Sequence, residues 1–151
     1  MTPSDTISNH STQMPGISIS QVAELLAHNG YDVAETAPGL LRVRDVHSGV
    51  SFQAALEGNV LFMTVSLVSI APEALTPELM KDMLSSANGI STSAFRLIDA
   101  PDGKSVVTLN NFCKLQEMGP DDHDDIISLA GYLLADVIAA RDLLEPVAAA
   151  A

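Results

Sequence analysis

The chain is 151 residues long, and its 19 acidic and 7 basic residues give a formal net charge of −12 at pH 7. This length fits one domain with a buried core, and a hydrophobic content of 47% argues against a disordered chain. The negative charge argues against nucleic acid and anionic membranes as partners, because both are bound mainly through Lys and Arg.

Three features indicate where the protein acts. Its single cysteine, Cys113, cannot form an internal disulfide, so the framework of a secreted domain is missing. Residues 1–16 are rich in Ser, Thr and Pro and lack the basic and apolar segments of a signal peptide. No apolar run is long enough to cross a membrane. We expect a flexible N-terminal tail over residues 1–16 and a cytoplasmic protein.

The first predicted elements are a short helix and a strand meander. Ser20 is placed to cap a helix that ends at Gly30, and YDVAE follows as a brief extended segment. Apolar residues then alternate along three stretches that tight turns separate, which predicts antiparallel strands. These strands cover residues 40–46, 50–57 and 60–70.

The hydrophobic period then changes to that of a helix. TPELMKDMLSSANG has Thr76 as N-cap and Pro77 at the first helical position, and Gly89 is placed to end the helix. A hairpin follows, with predicted strands at residues 93–99 and 105–112.

The last predicted element is the longest helix, from Asp121 to about Leu144, and Pro146 marks its end. Residues 147–151 are expected to be a frayed tail, so the single domain covers residues 17–146. The order α-β-β-β-α-β-β-α predicts an α+β fold in which helices cover one face of an antiparallel sheet of about five strands.

The stretch GPDDHDD, residues 119–125, allows two interpretations. Asp121, Asp124 and Asp125 have the spacing that brings helical side chains to one face, as a metal site requires, but no second acidic or histidine cluster completes such a site. Acidic residues after a proline are also typical of a helix N-terminus, where they bind free amide groups and favour the helix dipole. We interpret the cluster as a helix start and predict no metal site.

The sequence contains no recognisable catalytic motif. A nucleophile elbow, a phosphate loop, a zinc-protease helix and paired zinc cysteines are all missing. Cys113 has no histidine near it in sequence and is read as a small hydrophobic residue. We therefore predict that the protein is not an enzyme and uses no cofactor.

Apolar residues exceed what one sheet face requires. Phe62 and Val68 are predicted on the face of their strand opposite Leu61, Met63, Val65 and Leu67, and Met80, Met83 and Leu84 belong to the apolar stripe of the middle helix. The predicted dimer or partner contact consists of Phe62, Val68, Met80, Met83 and Leu84. Methionine suits such a contact because its flexible side chain adapts to different surfaces. Core filling is the competing interpretation.

Arg42 and Arg44 share one face of a predicted strand and form a possible anion contact. Three acids, at positions 32, 35 and 45, lie close enough in sequence to pair with these arginines. Both interpretations stay open at this point.

The order of elements resembles the type III secretion chaperone-like fold. In more detail, the chain is similar to the YbjN family, whose members carry the general label of bacterial sensory transduction regulators. The resemblance covers about residues 18–145 and rests on LLAHNGYDVAE, GLLRVRD, GVSFQAALEGNVLFMTVSL and LLADVIAARDLL. It implies a small acidic protein, usually dimeric, that binds other proteins and has no catalytic residues.

These observations predict a non-enzymatic protein-binding or chaperone-like module. We expect a homodimer that binds a protein or peptide partner and regulates bacterial signalling or stress. Two alternatives remain: a regulatory domain that responds to a small anion, and a class I type III secretion chaperone for an effector.

Overall fold

The structure, a computed structural model, describes residues 17–149, so the predicted tail 1–16 lies outside the described residues. The α+β fold and the order of its elements are confirmed. The helices are α1 (Ile19–Ala27), α2 (Pro77–Leu84) and α3 (Pro120–Ala148). The strands are β1 (Tyr31–Ala37), β2 (Leu40–Asp45), β3 (Ser51–Glu57), β4 (Val60–Ile70), β5 (Ala94–Asp99) and β6 (Ser105–Lys114).

All six strands form one antiparallel sheet in the order β1-β2-β3-β4-β6-β5, so β1 and β5 are its edges. The sequence predicted about five strands, because YDVAE was read only as a brief extended segment. In the structure this stretch pairs with β2 along its length, from Tyr31 opposite Asp45 to Ala37 opposite Leu40. As an edge strand it is mostly exposed, which weakens the alternation that identifies a strand.

Helix α1 is capped by Ser18 instead of the predicted Ser20. The Ser18 hydroxyl accepts the Gln21 amide, and the Gln21 side chain accepts the Ser18 amide, so the two residues form a capping box. The sequence contains this Ser-x-x-Gln signal, and it places the helix start two residues earlier than a serine alone suggests.

Two predicted helix ends were wrong. The Thr76 hydroxyl caps α2 as predicted, but this helix ends at Leu84, five residues before Gly89. Helix α3 continues through Pro146 to Ala148, so the proline does not mark its end. A proline here removes the hydrogen bond to the carbonyl four residues earlier and crowds that carbonyl, a cost that continued packing of α3 offsets. Leu144 and Val147 beside it contact the core.

The helices pack on one face of the sheet in two hydrophobic clusters. The larger cluster joins α1 and most of α3 to the centre of the sheet, through residues such as Leu26, Leu61 and Leu133. The smaller cluster lies at the other end of β4 and contains Ile70, Met83, Val107 and Leu144. Among residues 17–149, no helix covers the opposite face of the sheet.

Candidate functional site: the open face of the sheet

The face of the sheet opposite the helices, here called the open face, carries the outward side chains of all six strands. Strand alternation decides its composition, since each inward residue is followed by an outward one. In β3, for example, Phe52, Ala54 and Leu56 are buried inward, and Gln53 and Glu57 are exposed. Among residues 17–149, no helix covers these outward side chains.

An apolar row, here called the aromatic row, crosses the open face. Its members lie opposite one another in the register of β2, β3, β4 and β6: Leu40, Ala55, Phe62 and Phe112. The rings of Phe62 and Phe112 have centroids 6.0 Å apart with an interplanar angle of 40°, an attractive aromatic geometry. Phe112 is 66% exposed.

A second row, here called the polar row, lies beside the first. Register places its members side by side across the whole sheet: Ala34, Arg42, Gln53, Thr64, Asn110 and Ala94. The Thr64 hydroxyl donates to the Asn110 side-chain oxygen at 2.7 Å, and the Asn110 amide donates to the Thr108 hydroxyl at 2.7 Å. Thr108 in turn donates to the Arg96 carbonyl at 3.2 Å. These bonds hold the floor of the open face in one arrangement.

A shallow cavity of about 490 Å³ lies where the two rows meet. Its lining includes the two rings of the aromatic row, Thr64 and Asn110 from the polar row, and two charged side chains, Arg96 and Glu57. This combination of an apolar wall and a few fixed polar groups is typical of a small recognition pocket.

The two predicted anion-binding arginines also lie on the open face. Arg44 contacts Asp32 on β1 at 3.7 Å, and both side chains are largely exposed. Exposed pairs of this kind contribute little free energy and are screened by salt. Arg42 lies near them, beside a cavity of about 220 Å³. Of the three acids close in sequence, only Asp32 pairs with Arg44 among the described residues.

The five predicted contact residues do not form one surface. Phe62 lies on the open face, but a β-bulge between Ser66 and Val68 reverses the alternation of β4, so Val68 packs towards the helices. In α2, Met83 is buried in the smaller cluster, whereas Met80 is partly exposed and Leu84 is 81% exposed. The structure therefore brings Val68 and Met83 together in the core and leaves Phe62, Met80 and Leu84 on two separate surfaces.

The acidic cluster lies in the first turns of α3, as the helix-start interpretation predicted. Asp122 has a role that the sequence did not indicate. It is buried, and one of its oxygens accepts the amides of Gln116, Glu117 and Met118 at 2.7–2.9 Å. This carboxylate holds the loop that leads into α3, where Met118 has a φ of 57°. Within residues 17–149, no group of three metal-binding side chains is assembled.

Cys113 faces inward on β6 and is half-buried. Burial raises the pKa of its thiol to about 11, and the nearby carboxylates of Asp125 and Asp122 add to this effect. Because the thiolate is the nucleophilic form, the raised pKa lowers the reactivity of this thiol at neutral pH.

Asp136 in α3 is a second buried carboxylate that sequence reasoning missed. Its two oxygens accept the amides of Ser91, Thr92 and Ser93 and the Ser91 hydroxyl, at 2.8–3.2 Å. Burial alone would raise the pKa of this carboxyl, but the hydrogen bonds from Ser91 and Ser93 outweigh burial and lower that pKa below its usual range. An aspartate in mid-helix gives no sequence signal for such a partner.

This fold is similar to that of proteins of known structure. The fold matches YbjN from E. coli, a candidate transcription regulator, with a TM-score of 0.62 and 14% identity over 85% of this chain and 94% of that chain. It also matches a chain of the heterodimeric complex ExoU–SpcU from the type III secretion system of Pseudomonas aeruginosa. That match has a TM-score of 0.54 and 20% identity over 83% of this chain and 98% of the other.

These similarities confirm the fold predicted from the resemblance to YbjN and the secretion chaperones. The sequence itself matches no protein-family model and no curated protein. No helix in the described part of the chain is long and apolar enough to span a membrane.

Proposed function

We propose that the protein is a non-enzymatic, chaperone-like module that binds a segment of another protein on its open face. The observation that carries this proposal is the aromatic row, an apolar strip of three half-buried residues and the exposed Phe112, on a floor fixed by hydrogen bonds. The fold is shared with a chain from a heterodimeric complex, which supports a protein as partner.

The test compares two exposed apolar residues on different surfaces. Phe112 on the open face and Ile138 on α3 are 66% and 67% exposed, so replacing either by Ser removes a side chain that contributes little to the core. We expect the unaltered protein to suppress aggregation of a reduced, unfolded test protein, measured by light scattering. Phe112→Ser should lose most of this activity, and Ile138→Ser should keep it. Equal activity of the two variants would contradict the proposal.

We further propose that the protein forms a homodimer through α2. The dimer contact uses the exposed residues Met80 and Leu84 of this helix. Met83 does not contribute, because it is buried in the core. Light scattering should give the mass of a dimer for the unaltered protein and of a monomer for Leu84→Asp, with little change in thermal stability. Val46→Asp, at a position 52% exposed in the turn after β2, is the control that should stay dimeric. A monomeric unaltered protein would rule out this assembly.

A second candidate function is a response to a small anion, because Arg42 forms no ion pair among residues 17–149. The double variant Arg42→Ala, Arg44→Ala should then lose any thermal stabilisation that a panel of anionic metabolites gives. If no anion stabilises the unaltered protein, this candidate fails. A cytoplasmic location and a role in bacterial signalling or stress remain predictions.

A further inference from the structure

The charges of the protein are divided unequally between its surfaces. Among the outward residues of the six strands, four are basic (Arg42, Arg44, Arg96 and Lys114) and two are acidic (Asp32 and Glu57), so these strand residues give the open face a net charge of +2. Because the whole chain has a net charge of −12, the rest of the chain carries −14. The open face thus holds four of the seven basic residues of a strongly acidic protein.

Three of these four cations are available to a ligand. Arg44 pairs with Asp32, but Arg42, Arg96 and Lys114 form no ion pair in the part of the chain that the structure describes. All three are exposed, and Arg96 borders the cavity beside the aromatic row. Glu57 also borders this cavity, so a ligand there meets one carboxylate as well as the arginine.

The positions of the cations define the length of a matching ligand. Arg42 on β2 and Arg96 on β5 are separated by four strand intervals, or roughly 19 Å at about 4.8 Å per interval. An extended peptide rises about 3.3 Å per residue, so about six residues cover this distance. The two rings of the aromatic row belong to β4 and β6, between the strands of the two arginines.

We propose that the occupant of the open face is an acidic, extended peptide segment of a partner protein, lying across the strands. Its carboxylates pair with Arg42 and Arg96, and an apolar side chain between them packs on Phe62 and Phe112. This inference rests on the proposed function and adds the chemistry of the partner. Because the peptide is bound through its side chains, it does not need to pair with β1 or β5 as an additional edge strand.

The negative charge of the remaining surface favours such a peptide over a nucleic acid. Packed layers lie about 10 Å apart, and the Debye length at physiological salt is about 8 Å. The carboxylates of a short peptide on the open face are therefore largely screened from the negative charges of the helix layer. A nucleic acid carries a phosphate at every nucleotide and extends beyond the face, so it meets the surrounding carboxylates.

The experiment measures fluorescence anisotropy of labelled heptapeptides with the full-length protein. The acidic probe has a central Phe and a pair of Glu at each end, and the neutral and basic probes carry Gln or Lys in place of Glu. We expect the acidic probe to bind about tenfold more tightly than the neutral one, and the basic probe more weakly still. Arg42→Gln and Arg96→Gln should each weaken binding of the acidic probe about threefold or more. Arg141→Gln, on α3, removes a cation away from the open face and should have no effect.

The outcomes separate this inference from the proposed function. If the acidic and neutral probes bind equally and Phe112→Ser weakens both, the open face binds peptides but the acidic specificity is wrong. If no probe binds and single-stranded oligothymidylate does, both proposals fail. Loss of probe binding in Arg141→Gln equal to that in Arg96→Gln would show a nonspecific charge effect and overturn the inference.

Discussion

The two faces of the sheet are built by the same strands but have different properties. The inward residues of β4, Leu61, Met63 and Val65, are buried under the helices, and the outward Phe62, Thr64 and Ser66 lie on the open face. The inward side of the sheet accordingly provides the core, and the outward side carries charged side chains and the rings of Phe62 and Phe112. The comparison teaches that buried and outward positions alternate along each strand, so the proposed binding surface can change while the core is kept.

The largest expected effect tests this separation on one strand. Leu109→Ala removes a fully buried side chain from the inward side of β6 and should lower the free energy of unfolding by about 2–5 kcal/mol. Phe112→Ala, three residues along the strand on the open face, should lower it by less than about 1.5 kcal/mol, since mainly its pairing with Phe62 is lost. Urea denaturation measures both. Similar losses would show that the open face also stabilises the fold.

A smaller effect is expected in the helix layer. Asp136→Asn should lower the free energy of unfolding at neutral pH by about 1–3 kcal/mol, because the amides of residues 91–93 lose a charged acceptor. The pKa of Asp136 is lower in the folded than in the unfolded chain, so its contribution is present above the unfolded pKa. This contribution is lost as the pH falls through the folded pKa.

The matching measurement is the difference in melting temperature between the unaltered protein and Asp136→Asn, from pH 7 down to pH 3. This difference should shrink at the acidic end, because the carboxylate becomes protonated in the unaltered protein. Asp142→Asn, an exposed change on the same helix, serves as the control. A difference that stays constant over the range would show that the effect of the substitution does not depend on charge.

The smallest effect is expected for the ion pair on the open face. Arg44→Gln removes the exposed contact with Asp32 and should change the free energy of unfolding by no more than about 1 kcal/mol, less at high salt. Chemical denaturation at low and high salt measures it. A larger loss would mean that the cations of the open face hold the sheet together and are not free for a partner.

The fold was largely predictable because its signals are local. The alternation in β3 and β4, the turns between them and the Thr76-Pro77 helix start all lie within a few residues of one another. Strand β1 was underestimated because its exposed edge position leaves little alternation. The span of α3 through Pro146 depends on packing in the smaller cluster, which no local signal describes.

The candidate site was predictable only in part. Phe62, Arg42 and Arg44 were identified from their strands, but Phe112 and Arg96 join them only because β6 pairs with β4 and β5. That pairing brings together residues far apart in sequence, so local patterns do not reveal it. Val68 was placed on the wrong face, since a bulge in β4 depends on its pairing with β6. Asp122 and Asp136 likewise gain their roles from loops they meet only in the folded chain.

The bulge in β4 changes which residues of the strand, odd-numbered or even-numbered, face the helices. Before it, odd-numbered residues from Leu61 to Val65 face the helices; after it, the even-numbered Val68 and Ile70 do so. Ser66 and Val68 pair with consecutive residues of β6, so deleting Leu67, the extra residue, would remove the bulge and leave both sets of apolar side chains facing the helices. The bulge is therefore a position where this strand can lose a residue without turning its buried apolar side chains away from the helices.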